Sequence, residues 1–197
     1  MNYYGELDNI QHYIRKLFNK HKVDHLLYHN FAHTKFVVEI TKEIAAIYSL
    51  EEPDFFIVSA SAWYHDSGHL NGDLKLHEDR SVSIMKSYFK GKEVDDLVID
   101  KIESCICATK LAQNPKSLLE KFLCDADTFN LGTKDFNRTD QLLKKELKQR
   151  NVSIDDWMEK TLKLLLTHKY FTSYCRKELK RGKEENIGLL RNQLCNT

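Results

Sequence analysis

Proline and glycine are scarce in this chain, with two prolines and seven glycines among 197 residues. Few positions therefore force a break in regular structure, which favours long helices over short strands and turns. An excess of charge of one sign is also missing: 30 basic side chains stand against 29 acidic ones. A protein that holds a nucleic-acid polymer draws its affinity from a surplus of Lys and Arg set against phosphates. The balance here argues against such a partner and leaves small phosphorylated ligands open. No apolar run approaches the ~18 residues of a membrane span, so no membrane contact is expected. The opening residues Asn2-Tyr3-Tyr4-Gly5-Glu6 lack the basic and apolar segments of a signal peptide. Cys105, Cys107, Cys124, Cys175 and Cys195 are odd in number and form no Cys-x-x-Cys pair. They read as free thiols of a reducing compartment, and the expected location is cytoplasmic.

What is present is a soluble globular composition, 42% apolar and 30% charged, carrying helical periodicity throughout. Leu7, Ile10, Tyr13, Ile14 and Leu17 share a face and predict a first helix over about 3–21. Asn30 is a suitable N-cap for a helix to about residue 48, with Val37, Ile40, Ile44 and Tyr48 as its stripe and His33 at the stripe's start. A third helix is expected over about 49–69 with Pro53 in its opening turns. Its row of Phe55, Val58 and Ala62 continues to His65 and His69. Gly68, Asn71 and Gly72 mark a loop, and helices over about 77–89 and about 94–109 follow. Asn114-Pro115 and Ser117 announce a helix that carries Leu119, Phe122 and Leu123 towards Asp125 and Asp127. Three amphipathic helices over roughly 134–150, 153–169 and 171–193 complete the chain. The expectation is an all-α fold, one domain over 1–197 of about eight or nine helices.

Five of the nine histidines lie between His29 and His77. A lone buried histidine is more often a hydrogen-bonded structural residue than a ligand, and the clustering is what changes the reading. His29 and His33 are four apart across a helix start and can point to one site. His65 and Asp66 are adjacent, and His69 follows one turn later. Nitrogen and carboxylate ligands together suit manganese, iron, cobalt, nickel or zinc, whereas an all-oxygen site favours magnesium or calcium. A further carboxylate must come from Asp125-Ala126-Asp127, and spacing alone does not choose between the two aspartates. Lys35, Lys75, Arg80 and Lys110 lie near these motifs but read as surface residues. Tyr28, Trp63, Tyr64 and Phe129 read as core before they read as base-stacking groups. The runs Lys144–Arg150 and Arg176–Lys183 read as solvated helix faces.

A histidine, a His-Asp doublet and a distant aspartate, here His33, His65-Asp66 and Asp127, resemble the HD-domain metal-dependent phosphohydrolases. The segment Tyr28-His29-Asn30 followed by His33 is similar to the Tyr-His-Asn-x-x-His segment of cyclic-nucleotide phosphodiesterases and of a subgroup of uncharacterised bacterial HD proteins. That subgroup also shows the His77-Glu78 step before Ser81, the Ile102, Ile106 and Thr109 helix, Asp-Ala-Asp, and Leu131-Gly132. The matches cover a motif core of about 28–132, with the C-terminal helices over about 134–193 agreeing loosely.

The resemblance implies an HD-type helical bundle holding one or two divalent ions (manganese, iron, cobalt, nickel, zinc or magnesium) on His33, His65, Asp66 and Asp127. It assigns Asp127 over Asp125, because the family's last aspartate follows a small residue. Asp66 could reach a second ion as well. His69, His77 and Asp125 become partners of that second ion or of the ligands. His29 becomes a proton donor to the departing alkoxide, and Glu78 an outer ligand or base. The implied reaction is water attack on a small-molecule phosphoester, a nucleotide or cyclic nucleotide. A di-iron oxygenase on the same fold and a non-catalytic nucleotide-sensing module are the alternatives. Oligomeric state is open, with a homodimer among the options.

Overall fold

Side-chain caps fix where several helices begin. Asn30 accepts the backbone N–H groups of Ala32 and His33, Asp95 that of Leu97, and Ser117 that of Glu120. Each satisfies a donor that the first helical turn leaves without a partner. The computed structural model describes residues 2–21, 24–72, 74–111 and 113–196. Among the described residues it has ten α-helices and no strand. In order they are α1 (Tyr3–Lys20), α2 (Phe31–Ile47), α3 (Asp54–Tyr64), α4 (His77–Phe89), α5 (Asp96–Ala108), α6 (Leu118–Asp127), α7 (Phe136–Gln149), α8 (Trp157–Thr167), α9 (Ser173–Glu178) and α10 (Lys180–Cys195). Two short 3₁₀ turns, Ser67–Leu70 and Phe129–Gly132, follow α3 and α6.

The all-α expectation holds, and α4 begins and ends where periodicity placed it. Two expected helices are divided instead. Ser49 takes a left-handed conformation at φ 52°, which a right-handed helix cannot include. Pro53 therefore stands ahead of α3 and not inside it, and the far end of that predicted helix tightens into the turn Ser67–Leu70. The C-terminal helix is two, because the chain bends at Leu179. That residue is buried and lies against Gly132.

α3 is the centre of the larger core. Every residue from Phe56 to Tyr64 is buried, the pattern of a helix covered on all sides and not of one with a single apolar stripe. α1, α2, α5 and α6 pack on it, and α2 and α6 also pack on each other. A smaller apolar cluster of Leu131, Phe136, Leu165 and Leu190 joins α7, α8 and α10. Among the described residues no helix is long and apolar enough to cross a membrane.

α10 reaches the turn Phe129–Gly132 only because two glycines meet there. A Cβ on Gly182 would lie 2.0 Å from the carbonyl oxygen of Gly132. Gly182→Ala is expected to cost about 1–3 kcal/mol through overpacking, read as a lower urea midpoint. An unchanged midpoint would show that the two segments can separate without loss.

Candidate metal centre

The start of α2 and the ends of α3 and α6 meet at one point. His33 is in the first turn of α2, its N–H held by the Asn30 cap at 3.1 Å. His65 follows α3, and its Nδ1 donates to the Ala62 carbonyl at 2.8 Å, which turns Nε2 inward. Asp66 is next in the chain, and Asp127 closes α6. His33 Nε2 is 3.3 Å from Asp66 Oδ2 and 3.5 Å from Asp127 Oδ1. His65 Nε2 is 3.2 and 3.6 Å from the same two oxygens. A centre about 2.1 Å from four such atoms sets them about 3.0–3.4 Å apart, close to these separations.

His33 Nε2, His65 Nε2 and Asp66 Oδ2 are buried and make no hydrogen bond. Three unpaired polar atoms converging in the interior are costly unless a cation satisfies them. The four residues thus fit a divalent ion, with two nitrogen and two oxygen donors. Burial alone would strip the imidazole protons, but the Asp66 and Asp127 carboxylates outweigh it and hold both histidines above their usual range. Burial likewise pushes the carboxylates up, and the imidazoles overcome it, leaving Asp127 at about 2 and Asp66 well below the ordinary value.

Asp66 turns its other oxygen to a second group. Oδ1 is 3.8 Å from His69 Nε2 and 3.7 Å from His77 Nε2. The rings of His29, His69 and His77 stack in a row, with centroids 4.1 and 4.0 Å apart. Donor atoms of His29, Asp66 and His69 also lie within 4.8 Å of one another. His69, however, meets the Arg150 guanidinium at Nδ1, 3.1 Å away. A guanidinium only donates, so Nδ1 accepts and the proton of the neutral ring sits on Nε2. Burial, with His29, His77 and Arg150 nearby, pushes the His69 pKa down to about 2, which keeps the ring neutral. His69 therefore presents an N–H towards Asp66 and not a lone pair.

Sequence reasoning missed two residues of this site. Glu146 is 0% exposed and accepts from the backbone of Tyr28 and His29, at 2.8 and 3.0 Å, and from His29 Nδ1 at 2.6 Å. Arg150, one turn on, is buried beside it. Both lie in the run expected to be a solvated helix face, and that reading is corrected for them. A glutamate breaking a lysine run was the only local signal, and its partners are 117 and 118 positions away.

The structure does not bring Asp125 to the cluster. Its carboxylate is buried and accepts from the backbone N–H groups of Phe171 and Thr172 at 2.7 and 2.8 Å, and from the Thr172 hydroxyl. Asp125 thus ties the approach to α9 onto α6. Glu78 is buried, with Oε2 3.4 Å from His77 Nδ1. It is held near the cluster because α4 is clamped to the turn after Asp66: Ser81 Oγ accepts from Gly68 N–H and donates to the His65 carbonyl. A Cβ on Gly68 would fall 1.9 Å from the His77 carbonyl oxygen, so only glycine permits this approach. Trp63 and Tyr64 are core residues, while Tyr28 lines the cleft at the site. Lys35 pairs with Glu39, Arg80 donates to the Gly68 and Lys75 carbonyls, and Lys75 and Lys110 line the cleft. That cleft has a volume of about 1120 Å³ and runs from Asp66 and Asp127 to α7 and α8.

The family model of the HD domain matches residues 30–131, more than half of the chain. No curated protein matches the sequence. Among solved structures, Bacillus subtilis YpgQ in complex with ADP is similar, with a TM-score of 0.69 at 18% identity over 100% of this chain and 97% of that one. At that identity the likeness speaks for the fold.

Two outcomes follow from the geometry. Asp127→Asn is expected to weaken Mn²⁺ or Co²⁺ binding at least ~10-fold, while Asp125→Asn leaves it unchanged and lowers stability by roughly 1–3 kcal/mol. Calorimetry and urea titration read the two effects, and equal losses of metal affinity would contradict the assignment. An entering ion must also displace the protons that the carboxylates hold on His33 and His65. Affinity should therefore rise with pH and binding should release acid, which calorimetry in buffers of different ionisation enthalpy detects.

Proposed function

The chain belongs to the HD-domain family, and from that premise we propose that it hydrolyses a phosphoester of a small molecule, a nucleotide, with a divalent ion held by His33, His65, Asp66 and Asp127. The observation that carries the reading is the set of buried, unpaired donor atoms converging at the end of an open cleft. A bound ion would supply Lewis acidity towards a phosphoryl oxygen and a water acidified to near neutral pH.

The remaining roles fall to the chain itself. Glu146 fixes the His29 ring through Nδ1, so its Nε2 is free to carry the proton that the departing alkoxide needs. His69, buried with its N–H towards Asp66 Oδ1, faces that carboxylate from behind and bears on how it is oriented. Glu78, beside His77 in the cleft wall, is the carboxylate available to orient the attacking water. Lys75, Lys110 and Lys169 line the cleft and suit an anionic ligand. The cleft far exceeds the volume of a bare phosphate, and YpgQ, which shares the fold, was solved with ADP; both support a nucleotide.

A two-ion centre is the second reading, favoured by the grouping of His29, Asp66 and His69. The Arg150 contact to His69 speaks for one ion, because it places a proton where a second ion would need a lone pair. Metal analysis of the purified protein separates the two at one or two equivalents per chain.

His29→Ala tests the acid role through its dependence on the leaving group. The loss should reach ~100-fold or more with an alkoxide leaving group, which needs the proton. With 4-nitrophenolate, a leaving group that needs none, the loss should be small. Glu146→Gln should show the same selectivity more weakly. A loss independent of leaving group would remove His29 from proton donation.

A further inference from the structure

Two segments that line the cleft each set a lysine beside a leucine. One is Leu74-Lys75-Leu76, directly ahead of α4, and the other is Lys110-Leu111, just after α5. Leu76 is 56% and Leu111 77% exposed, and neither belongs to the apolar clusters of the core. A singly exposed leucine is ordinary on a protein surface, so exposure by itself carries no argument. What sets Leu76 apart is its backbone.

Leu76 holds φ 60° and ψ 29°, the left-handed region. There a Cβ crowds the carbonyl oxygen, and leucine lacks the polar side chain by which asparagine or aspartate offsets the cost. Leu76 stands at the N-cap of α4, and its side chain caps nothing. Glycine would meet the backbone requirement with less strain. The leucine side chain is thus neither core, nor cap, nor suited to its own backbone. Strain of this kind concentrates where a side chain meets a ligand. The position agrees with that, because the next residue is His77, whose Nε2 is 3.7 Å from Asp66 Oδ1.

We propose that Leu76 is a specificity-determining residue, and that its side chain packs on the flat face of the nucleotide's base. Lysines beside leucines at the metal end of a cleft fit a ligand that joins an anion to an apolar ring. A bare phosphate offers nothing to the leucines, and a wholly apolar ligand nothing to Lys75 and Lys110. Packing leucine on a ring face removes apolar surface of both from water. Leucine carries no hydrogen-bonding group, so the contact reads the presence of a flat ring and not its edge. Adenine and guanine, of nearly equal area and different edges, should gain alike from it.

The proposal rests on the phosphohydrolase reading of the metal centre, and binding and turnover test the two separately. The probes are the 5′-thiophosphates of adenosine, guanosine and methyl riboside, the last without a base, titrated against the manganese-loaded protein by calorimetry. Both nucleosides should bind at least about tenfold more tightly than the riboside. Leu76→Gly should lose about five- to tenfold of that advantage, by the same factor for the two purines. Its affinity for the riboside and for Mn²⁺ should not change, and its urea midpoint should rise as the backbone strain is relieved. Leu76→Met, which keeps an apolar side chain of similar reach, should retain the advantage. Equal binding of the three probes by the unaltered protein, or no binding, overturns the proposal, and so does a full advantage in Leu76→Gly. A loss in Leu76→Gly that extends to the riboside would mark a disturbed loop, one that differs between the purines an edge contact, and a lowered midpoint a role in folding. Each of these also overturns it. Base-dependent binding without hydrolysis of any phosphoester would sink the hydrolase reading and uphold the contact, whereas hydrolysis without base-dependent binding would do the reverse.

Discussion

His65 and Asp66 are 0% and 5% exposed at the end of a helix buried on every side, and much of the site answers to that constraint. A buried imidazole Nε2 and a buried carboxylate Oδ2 without hydrogen-bond partners demand compensation. It arrives from two other helix ends, His33 at the start of α2 and Asp127 at the end of α6. These helices flank α3 and pack on each other, so packing of the apolar core and assembly of the polar centre are one event.

The partners on the outer side of each ring decide what the inner side can do. His65 and His77 donate from Nδ1 to the carbonyls of Ala62 and Leu74, and His29 shares its Nδ1 with Glu146. These contacts turn Nε2 towards the site. His69 has the opposite outer partner, the Arg150 donor, and so carries its proton on the inner nitrogen. Within one stack, His77 and His69 thus have opposite outer partners, a backbone acceptor and a guanidinium donor. α7 supplies Glu146, is followed at once by Arg150, and runs back along the cleft to Asp140. The helix that sets the state of the histidines also forms the wall against which a ligand would lie.

Asp125 and Asp127 illustrate how far a sequence pattern reaches. Both continue apolar rows of α6, and the family pattern chose Asp127. The structure supplies the physical difference: two residues along a helix turn the side chains about 200° apart. One carboxylate faces His33 and His65, the other the backbone of Phe171 and Thr172. Glu146 and Arg150 show the opposite case. Among lysines on an amphipathic helix they carry no local mark, and their buried positions depend on α7 lying across the segment at Tyr28 and His29.

By itself the sequence determined the helical class, the caps at Asn30 and Ser117 and the limits of α4, and it marked His33, His65 and Asp66 as candidates, with Asp127 preferred to Asp125 through resemblance to a family pattern. Each of these follows from periodicity, from a hydrogen bond within a few residues, or from motif order. Only the tertiary structure decided the bends at Ser49 and Leu179, the diversion of Asp125 to α9, the entry of Glu146 and Arg150, and the proton position on His69. Those features are contacts between segments distant in the chain. Their energies belong to the packed arrangement, and no window of the sequence contains both partners.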